Sequence, residues 1–240
     1  MPLPTISTPT YELTLPSSNR KIKYRPFLVK EEKILILAME SQDTKQIARA
    51  VKDVISKCIL SKGIKVDRLS TFDIEYLFLN IRGKSVGEQI EVMVTCPDDG
   101  KTQVPTSINI DSIKVQKDEK HKSTIKLDDN LSIKLKYPSL DQFIESNFES
   151  GDEKDNINNT LSMITSCIDM IYNEEESWSG SDSTKKELGD FIDQLNTKQF
   201  KMIEDFFTTM PKLSHKVKVT NPQTKVESEV LLEGLAAFFS

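Results

Sequence analysis

Apolar residues along this chain change their spacing repeatedly, between a period of two and a period of about 3.6. A period of two predicts half-buried β-strands, and a period of 3.6 predicts amphipathic helices. Both periods occur more than once within the 240 residues. The sequence therefore predicts an α+β fold, with β-hairpins and helices in the N-terminal half and a mainly helical C-terminal half closed by a terminal strand pair.

Four pairs of segments carry the strand period. They are 11–15 with 21–27, 90–94 with 104–110, 125–127 with 131–135, and 217–219 with 226–230. Turn-forming residues such as Pro16 and Gly100 separate the partners, which is typical of hairpins. Residues 1–10 contain three prolines and no clear period. We expect them to form an extended arm that is ordered only when something binds it.

The helical period predicts three helices before residue 90, at 30–40, 43–60 and 71–81. Asp43 is the expected N-cap of the second, with Gly63 as its stop. Ser70 or Thr71 is the expected cap of the third, and Gly83 its end. Further helices are predicted at 139–148, 157–171, 185–195 and 197–210, with a loop rich in acidic residues and serine at 174–184.

Charge is distributed unevenly along the chain. Residues 1–136 hold 23 basic and 18 acidic side chains, a net of +5, whereas residues 137–240 hold 9 basic and 19 acidic, a net of −10. We therefore predict an arm at 1–10, a mixed α/β half at 11–136 and an acidic helical half with a C-terminal hairpin at 137–240. Halves of opposite sign favour oriented docking onto protein partners.

Composition argues against several classes of protein. The longest apolar runs are far shorter than the roughly 20 residues that span a bilayer, and no signal pattern begins the chain, so we expect a soluble protein made in a cytoplasm. Only five of the 32 basic residues are arginine and the net charge is −5, which disfavours a dedicated nucleic-acid binder. The segment 114–136 has seven lysines against four acids, so nucleic-acid binding there is kept as a third interpretation.

No residue pattern indicates catalysis or a bound cofactor. The three cysteines are widely spaced, and the two histidines, His121 and His215, lie in no recognisable motif. Residues 96–101, Cys-Pro-Asp-Asp-Gly-Lys, resemble half of a zinc-ribbon knuckle in which Asp99 stands where a second thiolate is required. A polar turn with one thiol is the preferred interpretation. The sequence predicts no catalytic residue, no metal and no cofactor, and hence no enzyme.

Two hairpin segments share the spelling V-x-V-T-x-P, at residues 92–97 and 217–222. A strand that enters a proline turn produces much of this pattern by chance. A true duplication and a coincidence both stay open.

Four apolar residues are candidate interface residues. Trp178 lies in the acidic serine-rich segment, where an exposed indole would be a natural interface anchor; the alternative is that it folds back onto its own helices. Leu235, Phe238 and Phe239 end the chain with little sequence left to cover them, so they pack inward or into a partner. Three charged residues of the 71–81 helix region, Asp73, Glu75 and Arg82, are expected to be structural helix charges.

Three segments, 24–35, 71–88 and 231–239, together resemble the T4-type phage baseplate hub family. The resemblance implies a component or assembly factor of the central hub of a contractile-tail baseplate that acts through protein contacts. Its partners would be other baseplate hub and tail proteins, with a homo-oligomer possible and neither membrane nor nucleic acid involved. It would be found in the virion tail, in the host cytoplasm during assembly, or in both. The alternative is a metal-dependent or hydrolytic accessory protein of tail assembly.

Overall fold

A computed structural model of the chain describes residues 6–142, 153–234 and 237. Its strands are β1 (Tyr11–Thr14), β2 (Lys21–Tyr24), β3 (Gln89–Thr95), β4 (Gln103–Asn109), β5 (Lys114–Gln116), β6 (Thr124–Lys126), β7 (Ser132–Leu135), β8 (Ile168–Tyr172), β9 (Ser177–Ser179), β10 (Lys212–Thr220) and β11 (Glu227–Glu233). Its helices are α1 (Val29–Glu40), α2 (Thr44–Cys58), α3 (Thr71–Val86), α4 (Glu153–Ser166), α5 (Lys185–Asp193) and α6 (Thr197–Thr209). The α+β class predicted from the sequence is confirmed.

The chain forms two compact units. The first consists of residues 1–116 and 212–240, and the second of residues 117–211. The predicted boundary at residue 137 differs from this division, because β10 pairs with β5 as well as with β11 and so joins the C-terminal hairpin to the first unit. The separation of charge is kept: the first unit has 21 basic and 17 acidic residues, a net of +4, and the second has 11 and 20, a net of −9.

One core of the first unit lies between α3 and two antiparallel hairpins, β3–β4 and β10–β11. Alternate residues of β3 and β10 point inward, as the period of two predicts. The buried members of this core include Leu79 from α3, Ile90, Val92 and Val94 from β3, Cys96 directly after β3, and Leu213, Val217 and Val219 from β10. All four predicted strand pairs form hairpins in the structure.

Two glycines predicted to end helices do not do so. Helix α3 continues through Gly83 to Val86 and is capped by Gly87. The φ of Gly87 is 137°, a backbone conformation that glycine adopts readily and other residues rarely do. Gly83 instead gives Ile110 room to pack, since a Cβ there would lie 3.3 Å from its Cδ1. Helix α2 begins at the predicted cap, because the Asp43 carboxylate accepts two backbone N–H groups, but it ends at Cys58, well before Gly63.

The chain after α2 leaves the helix because it pairs with strand β2. Ile59 forms an antiparallel bridge with Tyr24, and the N–H of Leu60 donates to the carbonyl of Lys23 at 2.8 Å. The N–H of Arg25 in turn donates to the carbonyl of Cys58 at 3.0 Å, which satisfies one of the carbonyls that a helix leaves unpaired at its C-terminal end. Tertiary pairing therefore sets the end of α2.

A buried ion pair fixes the start of α1. Glu31 is only 1% exposed, and its carboxylate accepts from Arg25 Nη2 at 3.2 Å and from the N–H of Leu28 at 2.7 Å. Burial by itself raises the pKa of Glu31, but the hydrogen bonds from Arg25 and Leu28 outweigh it, so the pKa lies below its ordinary value of 4.5. The pair holds the segment before α1 against the helix.

Glu31→Gln should lower the free energy of unfolding by about 3 kcal/mol, because it leaves the largely buried Arg25 guanidinium without its charge partner. Since the pKa of Glu31 is lowered on folding, its stabilisation is present at neutral pH and is lost as the pH falls through the folded-state value. The difference from the unsubstituted chain should therefore shrink below pH 4.5. Urea unfolding at several pH values measures it. Glu32→Gln in the same helical turn is the control and should change stability by less than about 0.5 kcal/mol.

The second unit is built on the four-stranded antiparallel sheet β6-β7-β8-β9. Its buried core includes Ile133 and Leu135 from β7, Ile164 from α4, Ile168 and Ile171 from β8, Leu188 and Ile192 from α5, and Ile203 and Phe206 from α6. Strand β9 lies at one edge of this sheet.

The single helix predicted at 157–171 is wrong in its second part. Helix α4 ends at Ser166, and residues Ile168–Tyr172 form β8, in which Ile171 pairs with Ile133 of β7. Isoleucines three residues apart fit a helix and also a short buried strand, so spacing alone does not separate the two. The pairing with β7 decides between them.

The sequence predicted a mainly helical C-terminal half, and the structure does not show one. Within the described residues of 137–240 there are four strands, β8 to β11, alongside α4, α5 and α6. Strand β9 falls inside the predicted loop at 174–184. Most of the helix predicted at 139–148 lies outside the described residues, as do residues 1–5 of the predicted arm.

The second unit is inserted into the first between two paired strands. The chain leaves the first unit after Gln116 at the end of β5 and returns at Lys212 at the start of β10. Gln116 and Lys212 are direct partners in the antiparallel ladder, so their Cα atoms are only about 5 Å apart.

Candidate functional site: interaction surfaces

Trp178 lies on the edge strand β9 with 43% of its surface exposed. It pairs directly with the buried Ile171 of β8. The Trp178 side chain therefore lies on the same face of the sheet as that of Ile171, with a large part of its surface open to solvent. An aromatic side chain held in this way can contact a partner with little loss of side-chain entropy.

A groove of about 620 Å³ adjoins Trp178. Its apolar wall contains Leu131, Ile171, Leu188 and Phe191, and its polar rim contains Ser177, Ser179, Asp182, Ser183 and Glu187. Apolar concave surfaces with a few polar groups at the rim are typical of binding sites. The sequence identified Trp178 but not the groove, because β8 and α5 meet only in the fold.

The surroundings of the groove are acidic. Residues 174–176, all glutamate, lie exposed in the turn between β8 and β9, where Asn173 Oδ1 accepts the N–H groups of Glu175 and Glu176. At the rim, the backbone and hydroxyl hydrogen bonds from Thr184 lower the pKa of Glu187 and keep it charged. This surface is therefore suited to a positively charged partner.

Gly180 places β9 against β8. Its N–H donates to the carbonyl of Asp169, and a Cβ at this position would lie 2.1 Å from the carbonyl oxygen of Ile168. No side chain fits at that distance without a shift of the backbone. The position of Trp178, two residues earlier, depends on this close approach.

Gly180→Ala should lower the free energy of unfolding of the chain by about 3 kcal/mol, because the methyl group overlaps a backbone carbonyl. The fluorescence of Trp178, the only tryptophan, should change at the same time. Gly189→Ala is the matched control. It lies within α5 with nothing near its added Cβ, so it should raise stability by up to about 1 kcal/mol and leave the fluorescence unchanged. Equal effects of the two substitutions would contradict the role of Gly180.

A second apolar surface lies on the outer face of α1. Glu31, Leu35 and Ala38 of this helix are buried, while Val29, Ile36, Leu37 and Met39 are exposed, two of them to 66%. The sequence contained a signal for this face that our prediction did not use. Residues 34–37 are four consecutive apolar residues, which cannot all point to one side of a helix.

The tips of the two similar hairpins in the first unit meet through side-chain hydrogen bonds. The fully buried Asn221 donates through Nδ2 to Asp98 Oδ1 at 3.1 Å and to Asp99 Oδ2 at 2.9 Å. The Thr224 hydroxyl also donates to Asp98. We call this contact of Asp98, Asp99, Asn221 and Thr224 the tip clasp. Hydrogen bonds from Thr224 and from Thr102, respectively, lower the pKa values of Asp98 and Asp99.

The cysteines lie where thiols are unreactive. Cys58, Cys96 and Cys167 are buried and free of disulfides. Burial raises the pKa of both Cys58 and Cys167 to about 11, and it also raises that of Cys96, to which the nearby Asp98 and Asp99 add. Within the described part of the chain, no group of three or more His, Cys, Asp or Glu side chains could hold a metal ion.

The two histidines lie in different units, His121 in the second and His215 in the first. His121 bonds through its ring nitrogens to Thr209 Oγ1 and to the Tyr137 hydroxyl, each at 3.0 Å, and stacks on Tyr137. His215 lies within β10 opposite Leu232.

The described residues also include no helix long and apolar enough to cross a bilayer.

The three charged residues predicted to be structural are all located in α3. Asp73 is fully buried and accepts from the backbone N–H of Ser17 at 3.0 Å and from its hydroxyl. Glu75 and Arg82 are half-buried, and burial lowers the pKa of Arg82. Leu235, Phe238 and Phe239 lie outside the described residues, so their contribution to an interface stays a prediction.

Taken together, these features describe an α+β chain with an exposed tryptophan beside a groove and a helix face with exposed apolar residues. Comparison with known proteins identifies its family. A family model described as T4 bacteriophage base plate protein matches residues 8–240, and the chain belongs to that family. It is also 25% identical to the baseplate hub assembly protein gp26 of Enterobacteria phage T4 over 232 residues, which are 95% of this chain and 97% of that protein. No solved structure matches the chain.

Proposed function

We propose that the chain assists assembly of the central hub of a contractile-tail baseplate by binding other baseplate proteins, without turning over a substrate. The similarity to a hub assembly protein over nearly the full length of both chains carries this proposal. Membership of a base plate family supports a place in the tail of the virion. The chain would act on hub and tail proteins in the host cytoplasm during assembly, as a monomer or as a homo-oligomer.

The groove beside Trp178 provides a specific means of contact in this proposal. Its occupant would be a segment of a hub protein that places an apolar side chain against Trp178 and a lysine or arginine near Asp182 and Glu187. The net charge of −9 on the second unit would steer such a segment to the groove. A buried aromatic anchor would then supply most of the affinity.

The outer face of α1 would contact an acidic partner, because the segment around it is basic. Residues 20–68, which include α1 and α2, hold 13 basic and 6 acidic side chains. An apolar helix face within such a basic segment suits an apolar surface with an acidic rim. Two surfaces of opposite sign on one chain would let it bring two different hub proteins together.

Trp178→Ala should reduce the amount of hub protein that co-purifies with the tagged chain from phage-infected cells by about tenfold or more, as expected for an interface anchor. Quantitative mass spectrometry of the purified complexes measures this. Met93→Ala is the matched control, because Met93 on β3 is 46% exposed, close to the exposure of Trp178, and its loss should have an effect of less than about twofold.

Two results would count against these proposals, and they are distinguishable. If the Trp178→Ala chain melts at the same temperature and captures the same proteins as the unsubstituted chain, the groove is not the contact. If cells that lack the chain still produce complete hubs in normal number, the assembly role itself is contradicted.

A further inference from the structure

The tip clasp is a feature that the assembly role does not use. Its two turns belong to the segments that share the spelling V-x-V-T-x-P, at residues 92–97 and 217–222. In both hairpins the two valines point into the core of the first unit. The next inward positions are Cys96 and Asn221, each buried and each followed by proline.

The backbones of the two turns match as well. The N–H of Gly100 donates to the carbonyl of Cys96, and the N–H of Lys225 donates to the carbonyl of Asn221, both at 2.9 Å. Gly100 and Lys225 have nearly the same left-handed φ, +65° and +64°. A non-glycine residue adopts this conformation only where the surrounding structure requires it.

The side chains three residues after Cys96 and three residues after Asn221 are also equivalent. Asp99 lies three residues after Cys96 and accepts the N–H of Lys101, two residues later, at 3.0 Å. Thr224 lies three residues after Asn221 and accepts the N–H of Val226, again two residues later, at 3.4 Å. Each turn thus presents a polar side chain at its first and fourth positions.

A zinc ribbon is also built from two turns whose first and fourth positions carry the side chains that bind the ion. There, two C-x2-C turns supply four thiolates to one tetrahedral ion. The side chains at the equivalent positions here are those of Cys96, Asp99, Asn221 and Thr224, and they do not fit zinc. Only one is a thiol, and the Asn221 Nδ2 group, which cannot ligate, donates to Asp99 across the gap between the turns.

We infer that the two hairpin tips are copies of one metal-binding turn, and that in this chain the hydrogen bonds of Asn221 replace the metal ion as the link between them. The amide both donates to the carboxylates of the opposite turn and, through Oδ1, accepts the N–H of Gln223 in its own turn at 2.9 Å. It therefore joins the turns and caps one of them, which a metal-bound thiolate would otherwise do.

The test is to restore the ligand set in the full chain with the triple substitution Asp99→Cys, Asn221→Cys and Thr224→Cys, keeping Cys96. The probe is Co²⁺, whose absorption reports tetrahedral thiolate coordination, followed by displacement with Zn²⁺. We expect one equivalent of metal to bind about 100-fold more tightly than it binds the unsubstituted chain, with a rise in melting temperature.

The control carries the same number of new cysteines with one in each turn moved by one residue: Asp98→Cys, Asn221→Cys and Gln223→Cys. Cys58 and Cys167 are common to both chains and cancel in the comparison. The control should show no tetrahedral cobalt spectrum. If the triple variant folds only when zinc is added, measured by circular dichroism, the inference is supported too, since metal then supplies the missing link.

The inference is overturned if the folded triple variant binds Co²⁺ no better than the control does. It is also overturned if the triple variant stays unfolded in excess zinc while the control folds. Neither result bears on hub assembly, which is measured separately by protein capture.

Discussion

Burial of α3 at the centre of the first unit is the constraint on which its other contacts depend. The helix anchors the rest of the unit at three positions. Asp73 accepts from the turn of the first hairpin through Ser17, Gly83 gives Ile110 room to pack, and Ser85 Oγ accepts the N–H of Phe27 before α1. Each of these anchors depends on the residue type present at its position. The Arg25–Glu31 pair holds the same segment before α1.

Each unit buries most of its large apolar side chains and leaves a few exposed on its surface. The first unit uses its apolar residues in hairpins and helices and still leaves one side of α1 exposed. The second unit holds Trp178 at the edge of a sheet, beside a groove with an acidic rim. The two units carry net charges of opposite sign. The chain thus has two candidate contact surfaces that differ in the charge of the residues around them.

Much of the fold could be predicted from the sequence, because local rules and the tertiary structure agree at most elements. The hairpins follow from strict alternation, and α2 follows from Asp43 and its periodic apolar residues. Prediction failed where partners distant in sequence decide the outcome. Ile168 and Ile171 fit a helix until β7 is placed beside them, and Gly83 indicates a helix end until Ile110 is known to pack there. Trp178 was found as a lone aromatic residue in an acidic segment, whereas its groove and the bonds of Asn221 arise only from the assembled fold.

The insertion of the second unit between Gln116 and Lys212 has a consequence for the modularity of this protein. Residues 117–211 begin and end at neighbouring points of one antiparallel ladder, so a turn of two to four residues, written in place of the whole unit, could close the gap as an ordinary hairpin does. The remaining chain would keep every strand and helix of the first unit. Gene exchange between viruses could therefore replace the second unit by another domain and leave the first unit intact.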